Sequence, residues 1–357
     1  VTHTTPYLTV RDPDQVREVL RRVDDFAPHN ALVSVTPLSP EALRILSRVG
    51  FALPDVLASA TGEAHRRVRS LVTAYFSPTK VARIEPRVRH LTDARCETVR
   101  ARLDDGPVDL VRELSRHIPP VIMQDLIGSG CPDLDLLNRW SRDSLELFWG
   151  WPDPERQLEL AHSAAELYAW LRKDVRAHCD DSSLFGTLHQ NGLGEREICS
   201  LGYFLLIAGQ ETTAQLITTS LYRTLQHPNV WQRLADGAPA TGIVRRILAT
   251  ESSVPTWRRI AAHGTTLGDA HVAAGTEILL ELTGNHPAEA RDTAYGLAFG
   301  YGPHRCLGAR LAEVEVVAVL EQTARALPGL RLSGPEPAWL RLLSFQSPLT
   351  LTVRSGE

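Results

Sequence analysis

The chain has 357 residues, 43% hydrophobic and 22% charged, with a formal net charge of −4. Such a chain is globular and long enough for one large domain or two ordinary ones, and its weak negative charge gives nucleic acid no footing. No apolar run approaches the roughly 18–20 residues of a membrane span, Leu201 to Ile207 being the longest candidate, and no signal peptide is expected. Five cysteines, Cys96, Cys131, Cys179, Cys199 and Cys306, are widely spaced, odd in number and without a CxxC pair. A reducing cytoplasm is therefore the expected setting, with neither a zinc site nor a disulfide framework.

In chain order, Pro6-Tyr7-Leu8-Thr9-Val10 reads as a strand, and Asp14 to Leu20 as a short amphipathic helix with apolar residues at 16, 19 and 20. Residues 30–60 are rich in prolines and small residues and read as loops. From Thr61 onward the pattern is helical, punctuated by breaks at Pro78, Pro107, Pro119–Pro120, Pro132 and Pro152–Pro154. Glu155 to Ala177 predicts one long amphipathic helix, and Glu195 to Gln226 a largely apolar one crossing the core. Residues 254–285 turn to strand character, with Thr265 to Asp269 as a turn and Thr276 to Leu280 as a strand. Ser347 to Val353 alternates like an edge strand. The expected class is mainly α with a small β region, in one domain over 1–357.

Two stretches carry chemistry. In the apolar helix lies Ala208-Gly209-Gln210-Glu211-Thr212-Thr213. An interior glycine costs about 1 kcal/mol against alanine, and a threonine hydroxyl can bond back to the preceding turn and bend the helix. Together they predict a groove. The second stretch is Phe299-Gly300-Tyr301-Gly302-Pro303-His304-Arg305-Cys306-Leu307-Gly308, followed by the helix-forming run Ala309 to Glu313. Glycines at 300, 302 and 308 let backbone lie close to a flat ligand, and amides at the next helix start favour a thiolate at Cys306. A thiolate under a planar macrocycle is what a haem iron needs to cleave O–O bonds.

This loop resembles the cysteine loop of the cytochromes P450, the haem-thiolate monooxygenases, and the likeness covers nearly the whole chain. The resemblance implies the cytochrome P450 fold and thiolate-ligated haem b, with Cys306 as the iron ligand and Phe299, Gly300 and Gly308 against the haem. Ala208 and Gly209 would border the oxygen groove, Thr212 would hydrogen-bond activated dioxygen, and Glu211 would help relay protons. Haem propionates need cationic or donor partners when buried. His65, Arg69, Arg259 and His304 stand where the family places them. Members of the family carry a further helix and strand before Pro6, so the resemblance implies that these are missing from the chain. Electrons would come from a separate ferredoxin, with Arg66, Arg67, Arg305 and Arg310 as candidates for docking it.

One departure stands out. Where the family has a glutamate and an arginine three residues apart before the Trp257 strand, this chain has Arg246 and Ala249, and its 284–298 segment is shorter than usual and lacks the family's proline-rich arginine stretch, so the third partner is expected to be missing as well. Losing one member would strand a buried charge. Losing all three is coherent, with weaker haem retention the expected cost. The Trp140 to Trp151 segment, Glu251 to Arg259 and Thr283-Gly284-Asn285-His286-Pro287 resemble a subgroup that β-hydroxylates an amino acid, often tyrosine, held on a peptidyl carrier protein for nonribosomal peptide antibiotic biosynthesis. Trp140, Phe148, Trp149 and Trp151 are expected to pack between helices rather than to wall a substrate. Two other readings are open: a hydroxylase tailoring a free macrolide or polyketide, and a haemless relative acting as activator subunit of a glycosyltransferase.

Overall fold

A computed structural model describes residues 7–130, 133–284 and 296–356. Strand β1 (Leu8–Val10) leads into α1 (Pro13–Arg21), β2 (Phe26–Ala27), α2 (Pro40–Arg48), α3 (Gly62–Thr73) and α4 (Pro78–Leu103). After β3 (Val108–Asp109) come α5 (Ile118–Ile127), α6 (Leu134–Trp149), α7 (Pro154–Ala177), α8 (Leu184–Gln190), α9 (Glu195–Leu225), α10 (Pro228–Ala235) and α11 (Thr241–Glu251). Strands β4 (Thr256–Ala261), β5 (Thr265–Leu267), β6 (Ala270–Val272) and β7 (Glu277–Glu281) follow. The chain ends with α12 (Ala309–Ala326), β8 (Leu330–Leu332), β9 (Trp339–Arg341), β10 (Gln346–Pro348) and β11 (Thr352–Ser355). The fold is mainly helical with small sheets, as expected.

Several prolines read as breaks are helix starts. Asp12, Ser39, Ser77 and Asp153 each precede a proline, and each side chain accepts from a first-turn amide of α1, α2, α4 or α7. Proline lacks an N–H where a helix start leaves one without a partner, and the short polar side chain satisfies another. Pro119 and Pro120 sit in the first turn of α5 by the same logic. Pro132 and Cys131 lie outside the described residues, as does Pro6. The supposed loop at 30–60 contains α2, whose Ser39-Pro40 start signal carries no long apolar run after it.

The largest sheet has the order β1-β7-β4-β2. Here β1 joins β7 in parallel (Leu8↔Ile278), and β4 runs antiparallel to β7 with Trp257↔Leu280 and Arg259↔Ile278. Thr265 to Leu267 is a strand paired with β6 rather than part of a turn, and Gly268, at φ 55°, makes the reversal. Ser347 to Val353 is not one edge strand. It divides between β10, paired with β9, and β11, which stands between β3 and β8.

Helix α9 is buried on almost every face, from Ile198 to Leu225, which is how a helix crossing a core reads. Helix α12 packs against α4, α9, α10 and α11. It carries one group out of keeping with its surroundings. Glu315 is fully buried, both carboxylate oxygens lack a partner, and burial holds its pKa well above the ordinary carboxylate value. The folded state binds a proton there that the unfolded chain releases, so stability falls as pH rises above the normal carboxylate range. Replacing Glu315 with methionine is expected to raise stability at pH 8 by about 1–3 kcal/mol, and by less at pH 4. Thermal melts of both proteins at the two pH values check this.

Candidate active site

Three elements bring the chemistry together. The loop from Phe299 to Gly308 closes on itself: the Gly300 amide donates to the Leu297 carbonyl at 2.8 Å, the Cys306 amide to Phe299 at 2.9 Å and the Arg305 amide to Gly302 at 3.1 Å. Gly300 and Gly302 have φ of 67° and 68°, where a side chain is strained, and a Cβ on Gly302 would stand 2.9 Å from the Leu20 carbonyl of α1. Gly308 differs from expectation. Its φ is −81° and a Cβ there would make only ordinary contacts, so its part is to bring its amide to Cys306 at the start of α12. The Gly308 and Ala309 amides both hydrogen-bond the sulfur, and Arg69 and Arg305 add positive charge. Burial nevertheless outweighs them and pushes the Cys306 thiol up. The amides thus favour the thiolate as expected, against a larger opposing effect of burial.

Cys306 opens into a cavity of about 250 Å³ of space that water could occupy. On its far side α9 presents Ala208, Gly209, Thr212 and Thr213. The Thr212 hydroxyl donates to the Ala208 carbonyl at 2.6 Å, the back-bond expected of it, while α9 stays one helix throughout. Gly209 is needed for a reason the sequence did not show: a Cβ there would lie 2.5 Å from the sulfur of Met123 on α5. The predicted groove at Gly209 is filled by the chain's one methionine. Glu211 does not line the cavity. It is buried, and burial raises its pKa against the opposing pull of Arg116 and Arg142.

The predicted propionate partners converge at one edge. Arg69, Arg259 and His304 line the cavity, and His65 stacks on His304 with ring centroids 4.2 Å apart. Arg69 donates to the Arg305 carbonyl at 2.7 Å. Arg259 is 1% exposed, its Nη1 donates to the Arg258 carbonyl at 2.8 Å, its Nε has no partner, and burial pulls its pKa down to about 10. His304 Nε2 donates to the Ala60 carbonyl at 2.9 Å while its buried Nδ1 is unpartnered; burial, then Arg259, hold its pKa down to about 3. His65 Nε2 is a further buried orphan. No aspartate or glutamate is among the described residues lining the cavity.

Buried donors and cations without acceptors are costly unless something anionic meets them. A flat macrocycle bearing two carboxylates and a metal that takes a thiolate would answer these features. The residues present therefore fit haem: Cys306 would hold its metal, and Arg69, Arg259 and His304 its carboxylates. A carboxylate against Nδ1 of His304 would favour the doubly protonated ring, since Nε2 already donates to a carbonyl.

The remaining wall is mostly apolar, with Leu53, Leu57, Phe148, Trp149, Tyr203, Phe204, Trp257, Leu282 and Phe345 beside Ser252 and Ser253. The aromatic cluster on α6 thus divides. Trp140 packs against Trp170 and donates to Glu166 at 2.9 Å, and Trp151 is 57% exposed, whereas Phe148 and Trp149 line the cavity. Trp257 was legible, since residues two apart on β4 share a face with Arg259. Phe345 and Met123 were not, because neither sits in a local pattern that points to the loop at 299–308. Thr283-Gly284-Asn285-His286-Pro287 lies mostly outside the described residues.

Three of the four arginines expected to dock a redox partner have partners within the chain: Arg66 pairs with Glu63, Arg67 donates to the Asn191 carbonyl, and Arg310 pairs with Glu313. Away from the cavity, the ligand atoms of Cys179, Asp180 and His189 lie within 4.8 Å of one another at the surface, a grouping that CxxC spacing does not reveal. No helix among the described residues is long and apolar enough to cross a membrane.

No family model matches the chain. Among curated proteins it is 32% identical over 289 residues to cytochrome P450-SU2 of Streptomyces griseolus, covering 76% of this chain and 69% of that one. It is 27% identical over 323 residues to the mycinamicin IV hydroxylase/epoxidase of Micromonospora griseorubida, covering 83% and 79%. Among solved structures it superposes on cytochrome P450 CREJ in complex with (4-ethylphenyl) dihydrogen phosphate, with a TM-score of 0.90, 28% identity and coverage of 99% and 92%.

Proposed function

The chain belongs to the cytochrome P450 family of haem-thiolate monooxygenases, and from that premise we propose that it hydroxylates a C–H bond of an uncharged, largely apolar small molecule of the macrolide or polyketide class. The observation that carries the substrate reading is the cavity wall: its charged side chains all lie at the cysteine and carboxylate edge, and the rest is aromatic and aliphatic apart from Thr212, Thr213, Ser252 and Ser253. A pocket of that kind binds by burial of apolar area and oriented contacts. The relative named for mycinamicin IV supports the same reading.

Haem, when bound, supplies the reductive activation of O₂ and the insertion of oxygen into carbon–hydrogen bonds. Electrons come from a redox partner such as ferredoxin. Cys306 would ligate the iron, with Phe299, Gly300 and Gly308 shaping the loop around it. Arg69, Arg259 and His304, with His65 bracing the last, would hold the carboxylates. Thr212 stands in the wall with a hydroxyl that can turn from the Ala208 carbonyl to deliver a proton into the cavity. Glu211, next to it in sequence and with its pKa raised by burial, would relay protons behind it. The aromatic wall excludes water and orients the substrate.

A second reading, the β-hydroxylation of an amino acid tethered to a peptidyl carrier protein, draws on the aromatic side chains that would face a tyrosine ring. It leaves the tethered residue's ammonium without a carboxylate among the described lining residues. The haemless activator reading has no use for an orphaned donor cluster facing a thiol. Optical titration separates the first two. A panel of free, neutral macrolactones and polyketides should include ligands that move the ferric Soret band to the high-spin position. A shift given only by aminoacyl-carrier protein, with every free compound silent, would overturn the proposal in favour of the tethered substrate.

A further inference from the structure

Where the family's glutamate–arginine pair is expected, Ala249 is buried and Arg246 is exposed. An ion cluster ties α11 to α12 instead. Glu313 of α12 is 1% exposed. Its Oε1 accepts from Nε of Arg245 on α11 at 2.8 Å, and its Oε2 accepts from Nη1 of Arg310 at 2.7 Å. The carboxylate comes from the helix that follows the cysteine, and the cross-helix cation from the helix where the family's pair would stand.

We infer that Glu313 is a positioning residue for the thiol ligand: with Arg245 and Arg310 it locks the first turns of α12 against α11. The inference rests on the reading of Cys306 as the haem ligand. The path is short and covalent. Gly308 and Ala309, whose amides bond the sulfur, begin α12, Leu311 and Ala312 line the cavity, and Glu313 is the next residue. A buried carboxylate held at both oxygens fixes the rotation and advance of a helix better than apolar packing, which tolerates sliding. Removing its charge frees the helix start, so the two amides no longer meet the sulfur at fixed positions.

The test compares Glu313→Gln with Glu321→Gln in the haem-loaded protein. Glu321 lies two turns further along α12, pairs with Arg89 of α4 at 3.1 Å and accepts from the Ala240 amide at 3.1 Å. It therefore reports the general cost of breaking a buried pair on the same helix. Glu313→Gln is expected to speed haem transfer to an apo-haem acceptor by about tenfold or more, to broaden or shift the ferric low-spin EPR g-values, and to raise the share of the carbon-monoxide complex that has lost thiolate character. Glu321→Gln should lower the melting temperature with those three readouts unchanged. Arg245→Gln, at a side chain 41% exposed, should reproduce the Glu313→Gln changes in milder form, and the double variant should add nothing to Glu313→Gln. Should Glu313→Gln fail to fold, Arg245→Gln carries the same comparison. If the variants at 313 or 245 lower melting temperature only, as at 321, the inference is overturned while the thiolate reading stands. A wild-type protein without a thiolate signature would remove that reading itself.

Discussion

Serine in place of Cys306 is expected to abolish the thiolate signature of the haem and to cut turnover by on the order of 10³-fold or more, with helicity unchanged. The size follows from the sulfur's place. It is the only side chain in the 299–308 loop able to give a soft, charged axial ligand, and no described histidine replaces it, since His304 is engaged with the Ala60 carbonyl. A serine hydroxyl is far less acidic and cannot use the amide hydrogen bonds in the same way. The carboxylate edge is untouched, so residual haem binding through Arg69, Arg259 and His304 should persist with a displaced spectrum. Absorption and circular dichroism on one sample separate ligand loss from unfolding.

Methionine at Arg259 should act in opposite directions on the two states of the protein. Without haem, Arg259 is a buried guanidinium whose Nη1 has one backbone acceptor and whose Nε has none. Its pKa is held below the unfolded value, so the folded state pays for keeping it charged at every pH below about 10. An apolar side chain of similar length should raise apo-protein stability by about 1–3 kcal/mol. With haem, the same change removes a cation from a buried carboxylate. Leaving a buried charge unmatched costs about 3 kcal/mol, roughly two orders of magnitude in haem affinity. Melts of protein expressed without haem supply, set beside haem titration, measure both signs. A variant that weakens both states alike would place Arg259 in the scaffold rather than at the propionates.

The parts of this site readable from sequence are those written in a short local code. Cys306 and its glycines fall within ten residues, and His65 and Arg69 lie one helical turn apart, so spacing alone placed them together. Ala208 and Thr212 likewise share a face of α9. What stayed hidden depends on contacts between distant segments. Met123 fills the space over Gly209 from another helix, and Phe345 reaches the cavity from the C-terminal strands. Glu313 finds Arg245 across 68 residues of sequence, so Arg246 and Ala249 at the pair positions could be read but not this contact. The sign of the Cys306 shift was hidden for a different reason. Helix-start amides are visible in a sequence, whereas the desolvation that outweighs them is a property of the assembled cavity. Glu211 illustrates the same limit, being adjacent to Thr212 in sequence yet outside the cavity wall.

The most direct measurement is the absorption spectrum of the purified protein reduced with dithionite under carbon monoxide. A strongly red-shifted Soret band, absent in the Cys306→Ser variant, is the predicted result and establishes the thiolate-ligated haem on which the site assignments depend. No Soret band after haem supplementation, or a band unchanged by that substitution, would contradict the account.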